Sequence, residues 1–348
     1  MKKPTDTTTK TFLVTGSAGF IGFHLAQRLL REGHTVHGID SMVNSYYDPL
    51  LKKVRLRELE KEKGYTHHHV DLADIEAVEL LADKIGHIDR FIHMAAQACV
   101  LYSFDHPHKY SRDNMVAFQN MLEWYRKSDA TLFSYASSSS VYGQSKEGTV
   151  ITESKQTDLP VSIYGATKIA NEAMAQAYYS YVQKPIVGFR FFKVYGPWAR
   201  PDTVFFKFTD LMYRDQPIKL HNHGNIRHSF TYIDDVADAV IKTSLSSRDN
   251  EDFTTRHPIY NLGGSHALLL DCVDAIEDAM GKKAIREMVP LPAGDRWYTF
   301  ADSSLAEKEI GFKNNTSIQD GLRTFVEWYL SEFVPVVKDV ETGSIFKK

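Results

Sequence analysis

The sequence predicts an α/β fold: a doubly wound parallel sheet with a smaller, interleaved C-terminal substrate lobe. Three observations carry this expectation. Residues 11–40 spell a complete strand–helix–strand unit with three glycines at its first turn. Short apolar runs then alternate with helical patterns through the first half of the chain, the pattern of a parallel sheet covered on both faces. From about residue 195 the alternation loosens, and Pro197, Trp198, Pro201 and the Phe205-Phe206 pair mark a second lobe.

The first unit opens with Phe12-Leu13-Val14, an apolar run short enough for a strand buried on both faces. Gly16 permits the tight turn that follows, Gly19 admits a pyrophosphate to the backbone, and Gly22 lets the helix lie close on the sheet. The helix runs from Ile21 to Arg31, and its N-terminus suits a diphosphate. A second strand, Thr35 to Ile39, ends on Asp40, a carboxylate able to accept from both ribose hydroxyls and to repel a 2′-phosphate. Gly16, Ala18, Gly19, Phe20, Ile21, Gly22 and Asp40 are therefore the expected cofactor residues, in a Rossmann-like unit that favours NAD over NADP.

Beyond Asp40 a loop runs into a charged helix, read as solvent-facing, that ends near Gly64. A strand near Thr66 to Val70 leads to Asp71-Leu72, and residues 74–85 read as a helix. Arg90 to Met94 is a fourth strand, 110–127 a long helix, and Ala130 to Ser134 a fifth strand. A second long helix, 164–183, is rich in Ala and Tyr. With 110–127 it predicts a homodimer joined by a four-helix bundle. Further helices are expected at 206–214, 265–281 and 316–333. The resulting division is a dinucleotide-binding domain over 1–190, to which later segments return, a substrate lobe over 191–335, and a polar tail over 336–348.

Composition narrows the function. The 41 basic and 44 acidic residues nearly balance, which gives no electrostatic case for nucleic acid or an anionic membrane. No apolar run approaches the roughly 18 residues of a membrane span, and MKKPTDTTTKT lacks the apolar core of a signal peptide. Cys99 and Cys272 are far apart and lack metal-ligand spacing, so a reducing, cytoplasmic setting is expected. His67-His68-His69 precedes Asp71 without a second ligand cluster, and no metal is expected.

The chemistry concentrates in two stretches. Tyr164-Gly-Ala-Thr-Lys168 sets a phenol and an ammonium on one face at the start of a helix. A phenol has a pKa near 10 and is a poor base at neutral pH. A neighbouring cation favours its phenolate and lowers that value. Ser137-Ser138-Ser139-Ser140, read as directly following the fifth strand, offers hydroxyls to a substrate oxygen that is losing its proton.

With TGSAGFIGFHLA, HMAAQA, ASSSSVYG, YGATKIANE, RFFKVYGPWARPD, FTYIDDV and FVEWY in view, the chain resembles the extended short-chain dehydrogenase/reductase family over about Lys10 to Tyr329. Within that family it is most similar to the nucleotide-sugar epimerases and dehydratases, above all the UDP-glucuronate 4-epimerases. The resemblance implies C4 epimerisation of a nucleotide sugar through a transient 4-keto intermediate, with NAD regenerated. UDP-glucuronate to UDP-galacturonate is the expected reaction. Other nucleotide-sugar reactions are the alternative, and a non-catalytic NAD-binding sensor a remote one. It implies Tyr164 as base, Lys168 as tuner and ribose holder, and Ser138 as catalytic hydroxyl, with Ser139 and Ser140 beside the sugar. Asp71 and Leu72 would contact adenine, Ala95 and Ala96 would line the middle of the cofactor, and Asn114 would lie near it. Dehydratases of the family carry an Asp-Glu pair where this chain has Ser139-Ser140, and its decarboxylases carry Glu at the Ser140 position. Neither carboxylate is present.

Departures fall around the substrate. Lys193 stands where the family's 4-epimerases have Thr, and Arg200 matches an Arg expected near a uronate carboxylate. Cys99 and Leu101 replace a Gly and an Arg. The family's Arg-Asp-Phe-Thr-Tyr becomes His228-Ser229-Phe230-Thr231-Tyr232, with Arg227 one place earlier as an expected phosphate ligand. Arg296, in GDRWY, is the second expected phosphate ligand.

Overall fold

Burial on both faces turns the short apolar runs into strands, and the computed structural model describes residues 9–43, 46–246, 257–291 and 297–338. The first five strands are β1 (Thr11–Thr15), β2 (Thr35–Ile39), β3 (Tyr65–His68), β4 (Arg90–His93) and β5 (Leu132–Ser138). Then come β6 (Val150–Ile151), β7 (Ile186–Phe191), β8 (Lys193–Tyr195), β9 (Ile218–Leu220) and β10 (Arg227–Tyr232). The last are β11 (Ile259–Leu262), β12 (Ser265–Leu268), β13 (Arg286–Met288) and β14 (Tyr298–Ala301).

Seven strands form one parallel sheet in the order β11-β7-β5-β4-β1-β2-β3. The chain winds outward from β1 in one direction to β3 and in the other to β11, so the switch point lies between β1 and β4. An open parallel sheet receives its ligand there, beyond the carboxyl ends of the strands. A second sheet runs β12-β10-β14-β6, with β8 also pairing with β10, and β9 pairs with β13. The two sheets are interleaved in sequence. β6 joins the second sheet before the chain returns to the first as β7, and β11 re-enters the first sheet late in the chain.

Between the lobes, Trp198 packs its ring 5.4 Å from Phe23 on the first helix and 5.2 Å from Trp328 near the C-terminus. The core of the second lobe is aromatic: Phe205 lies 4.8 Å from Phe230, and Phe206 lies 4.9 Å from Phe333. No described helix is long and apolar enough to cross a membrane. The helix Ile163–Val182 turns Ala166, Ala173, Ala177 and Tyr181 to solvent.

Several expectations about elements need correction. Residues 265–268 are strand β12, held antiparallel to β10, and the helix begins only at Leu269. Backbone pairing there overrides the helical period. The 110–127 helix is instead a short helix, a π-turn over Ser111–Val116 and a helix over Ala117–Lys127. The fifth strand does not stop at Ser134. It runs through the small polar residues to Ser138 because Ala136, Ser137 and Ser138 pair with Phe189, Arg190 and Phe191. The helix Leu50–Glu60 is not wholly solvent-facing, since Leu51, Val54, Arg55 and Leu59 are buried.

Candidate active site

A continuous cavity of about 900 Å³ opens at the switch point and reaches from the glycine turn across to β10. At one end the glycine turn is built from its own backbone. Gly16 has φ +68°, and a Cβ there would lie 2.9 Å from the Ala95 nitrogen. A Cβ on Gly22 would fall 2.1 Å from the Gly16 carbonyl oxygen, so no side chain fits that position. No side chain caps the helix that follows Gly19. Its first amides, at Phe20, Ile21 and Gly22, have no acceptor within the helix, and these three residues line the cavity. Asp40 is buried at the end of β2, accepting from Lys52 at 3.0 Å and from the Met42 amide at 2.9 Å. A diphosphate and a vicinal diol fit this donor and acceptor set, as NAD requires.

The catalytic candidates approach from the other side. Ser162 caps the helix Ile163–Val182, accepting from the Gly165 amide at 3.0 Å. Gly165 lies so close to the Ser140 carbonyl that a Cβ would stand 2.8 Å from it. The start of the helix therefore rests on the serine turn. Tyr164, Lys168 and Ser138 all line the cavity and are all buried. Ser138 Oγ accepts from the Ser140 amide at 3.1 Å and caps the turn Ser139–Tyr142. That bond uses an acceptor position and leaves the hydroxyl proton to be given away. The Lys168 ammonium donates to the Ala136 carbonyl at 2.9 Å, and burial pushes its pKa down to about 8.

A buried polar network fixes this arrangement. Arg190 makes two bonds to the Glu172 carboxylate, 2.8 and 2.7 Å, and Ser137 donates to the same carboxylate at 2.5 Å. Arg190 also donates to the Tyr142 hydroxyl at 2.7 Å, which in turn donates to the Asn261 amide oxygen at 2.6 Å. On the other flank, the Asn114 side chain accepts from the Gln97 amide and donates to the Gln97 carbonyl and Thr167. The π-turn thus ties the residues after β4 to the turn of helix beside Lys168.

Residues 12–263 match the sequence profile of the NAD dependent epimerase/dehydratase family. The chain belongs to that family. Protein CapI of Staphylococcus aureus is 39% identical over 334 residues, spanning 92% of this chain and 98% of that protein. UDP-glucuronate 4-epimerase 4 of Arabidopsis thaliana is 38% identical over 339 residues, 93% of this chain and 76% of the plant protein. Among solved structures, UDP-glucuronic acid 4-epimerase of Bacillus cereus, in complex with UDP-glucuronic acid and NAD, superimposes with a TM-score of 0.82 at 30% identity. That match covers 91% of this chain and 98% of the other.

Most of the expected site residues gather in this family member's cavity. Gly16, Gly19, Phe20, Ile21, Gly22, Asp40, Asp71, Leu72, Ala95 and Ala96 line the cofactor side, with Asp71 engaged by Arg112. Ser139, Ser140, Lys193 and Arg200 line the substrate side, where Asp202 holds Arg200 through bonds of 2.9 and 2.8 Å. Two of the expected residues lie off the cavity wall. Ala18 is fully buried behind the turn, with its carbonyl taken by Arg55 rather than aimed at the cavity. Arg227 does not line the cavity. Side chains alternate along β10, so His228 and Phe230 face it instead. Arg296 lies outside the described residues.

Other lining residues escaped sequence reading: Tyr46, Tyr47, Lys52, Arg112, Lys207 and Lys219. Only the register of Lys52 beside a buried helical stripe hints at its role. Lys207 and Lys219 look like ordinary surface cations.

The displaced ammonium makes a pH prediction. The native pKa of Lys168 lies below its ordinary 10.5, so the unfolded chain binds more protons between about pH 8 and 10.5. The stability of the ligand-free protein relative to Lys168→Met should therefore rise with pH across that window. Thermal melts of both proteins at pH 7, 8.5 and 10 check it. A difference that stays flat or falls contradicts the burial of the charged form.

Proposed function

We propose that this chain interconverts UDP-glucuronate and UDP-galacturonate by oxidation and re-reduction at C4, with NAD held in the glycine cradle. One observation carries the reading: the cradle, the Tyr164–Lys168 pair and a serine turn without carboxylates line a single cavity. Relatives named for this reaction span more than nine-tenths of the chain.

The residues act as follows. Tyr164, as phenolate, takes the proton from the sugar 4-hydroxyl. Lys168 favours that phenolate by its charge. Ser138, its lone pair engaged by the Ser140 amide, donates its hydroxyl proton to the same sugar oxygen and orients it. Bound NAD supplies the hydride acceptor for C4 and the donor for its return. Turning the 4-keto sugar presents its other face, and Tyr164 gives the proton back to the oxygen. Ser139 and Ser140 leave room for that turn and carry no carboxylate to remove the C5 proton. The described acids that line the cavity each carry an ion pair: Asp40 with Lys52, Asp71 with Arg112, Asp113 with Lys109 and Arg112, and Asp202 with Arg200. Dehydration needs an available acid–base pair, so this arrangement favours simple epimerisation.

The direct check is to incubate the protein with UDP-glucuronate and follow products by proton NMR, alongside Tyr164→Phe. UDP-galacturonate should form with substoichiometric NAD, and the variant should lose turnover by about 10²-fold or more while keeping its cofactor. Absence of UDP-galacturonate sinks the reading.

Lys193 is the substrate-side departure that matters most. β7 ends at Phe191, the register partner of Ser138, and Lys193 follows two residues later in the cavity wall. We assign its ammonium to the uronate carboxylate, because it follows the strand paired with Ser138 and lines the substrate side of the cavity. Lys193→Ala should raise the KM for UDP-glucuronate by about tenfold or more, the scale of a lost charge-assisted bond, and leave the affinity for UDP-glucose nearly unchanged. Equal losses for both ligands would move the ammonium to the diphosphate.

A further inference from the structure

Arg55 is fully buried on the helix Leu50–Glu60, on the stripe shared with Leu51, Val54 and Leu59. Burying a guanidinium is costly unless an anion answers it, yet among the described residues no carboxylate forms a contact ion pair with Arg55, and the Asp40 charge reaches it only at longer range. Its partners are peptide carbonyls from two distant loops. Nη1 donates to the Ala18 carbonyl at 3.0 Å, inside the glycine turn. Nη2 donates to the Trp198 carbonyl at 2.5 Å and reaches that of Ala199 at 3.4 Å. Those two residues immediately precede Arg200 and Asp202 on the substrate side of the cavity.

Two features show that the second loop is shaped for this contact. Trp198 holds a left-handed backbone, φ +62°, unusual for so large a residue. His24, on the cofactor helix, bonds to the Pro197 carbonyl at 2.9 Å and so adds a second tie between the same two segments. Tyr47, which lines the cavity, adds a hydroxyl contact to the guanidinium. The Ala18 carbonyl belongs to the same peptide as the Gly19 amide. A cation on that carbonyl polarises the peptide and sets positive charge directly behind the cradle.

We propose that Arg55 is a positioning residue that binds the cofactor turn and the 197–202 loop into one unit, with the cofactor diphosphate as the anion that answers its charge. Retention of NAD and binding of the nucleotide diphosphate are then linked through one side chain. The coupling is expected to be favourable and, by thermodynamic reciprocity, equal in both directions. The inference rests on the family's use of NAD and on a nucleotide-diphosphate ligand. It does not depend on which sugar is turned over.

The test uses holoenzyme and two ligands, UDP and isotope-labelled NAD. In the native protein, saturating UDP should slow exchange of resident NAD for labelled NAD by at least about tenfold. Arg55→Lys keeps a charge that can reach only one of the two loops, and Arg55→Met keeps none. Both should purify with a smaller share of bound NAD, and calorimetry should show UDP binding weakened by about tenfold or more. The effect of UDP on NAD exchange should disappear in each. The pH profile of turnover at saturating ligands should not move, since Arg55 touches no reacting atom. Variants that melt earlier but hold NAD and UDP as tightly as the native protein would make Arg55 a purely structural residue and overturn the proposal. Should neither variant fold, the native protein still decides: an NAD exchange rate indifferent to UDP overturns it. If UDP and NAD behave as expected but UDP-glucuronate is not epimerised, the assigned reaction fails and the role of Arg55 stands.

Discussion

The buried pair of Glu172 and Arg190 is the interaction on which the catalytic geometry depends. Glu172 lies one helical turn beyond Lys168, Arg190 lies on β7, and the shared carboxylate also holds Ser137 at the end of β5. One ion pair thereby fixes the phenol–ammonium helix against the serine turn. Removing either partner would leave a buried charge unanswered, at a cost of about 3–5 kcal/mol. The network passes on through Tyr142 to Asn261 on β11, so a strand from late in the chain props a turn made early. This gives the interleaved topology a chemical consequence.

Arg55 is the counterpart on the opposite side of the cavity. Arg190 has its carboxylate built in, whereas Arg55 has carbonyls from the cofactor turn and from the loop ahead of Arg200, and the Tyr47 hydroxyl. The first arginine is held entirely by protein groups, the Glu172 carboxylate above all. The second leaves a charge to be answered by what binds. A reaction that returns its hydride to the same sugar needs a resident cofactor and a substrate that can turn without leaving. Rigid catalytic groups and a ligand-completed cradle meet those two needs separately.

Much of this was legible in the sequence, and the failures have physical causes. The strand–glycines–helix–strand–acid order specified the parallel sheet, the cofactor turn and Asp40, because each residue type there answers a local backbone or hydrogen-bond demand. Tyr164 and Lys168 were readable because their spacing puts them on one helical face. Arg227 lies off the cavity wall because strand alternation depends on where pairing starts, and a slip of one residue exchanges Arg227 for His228. Residues 265–268 carried no local mark of a strand, since β12 exists only through its pairing with β10. The π-turn at Ser111–Val116 has no Gly or Pro to announce it and is stabilised by Asn114 reaching a distant backbone. Arg55 had a visible but easily discounted mark: an arginine on the apolar stripe of a charged helix.

In the proposed reaction one hydride leaves C4 and returns to C4 of the same sugar, with Tyr164 moving only the hydroxyl proton. UDP-glucuronate carrying deuterium at C4, turned over in ordinary water by holoenzyme, tests this most directly. NMR of the product should show UDP-galacturonate with deuterium retained at C4. Replacement of that deuterium by protium from solvent would contradict hydride return, because it would mean that C4 is inverted by proton exchange.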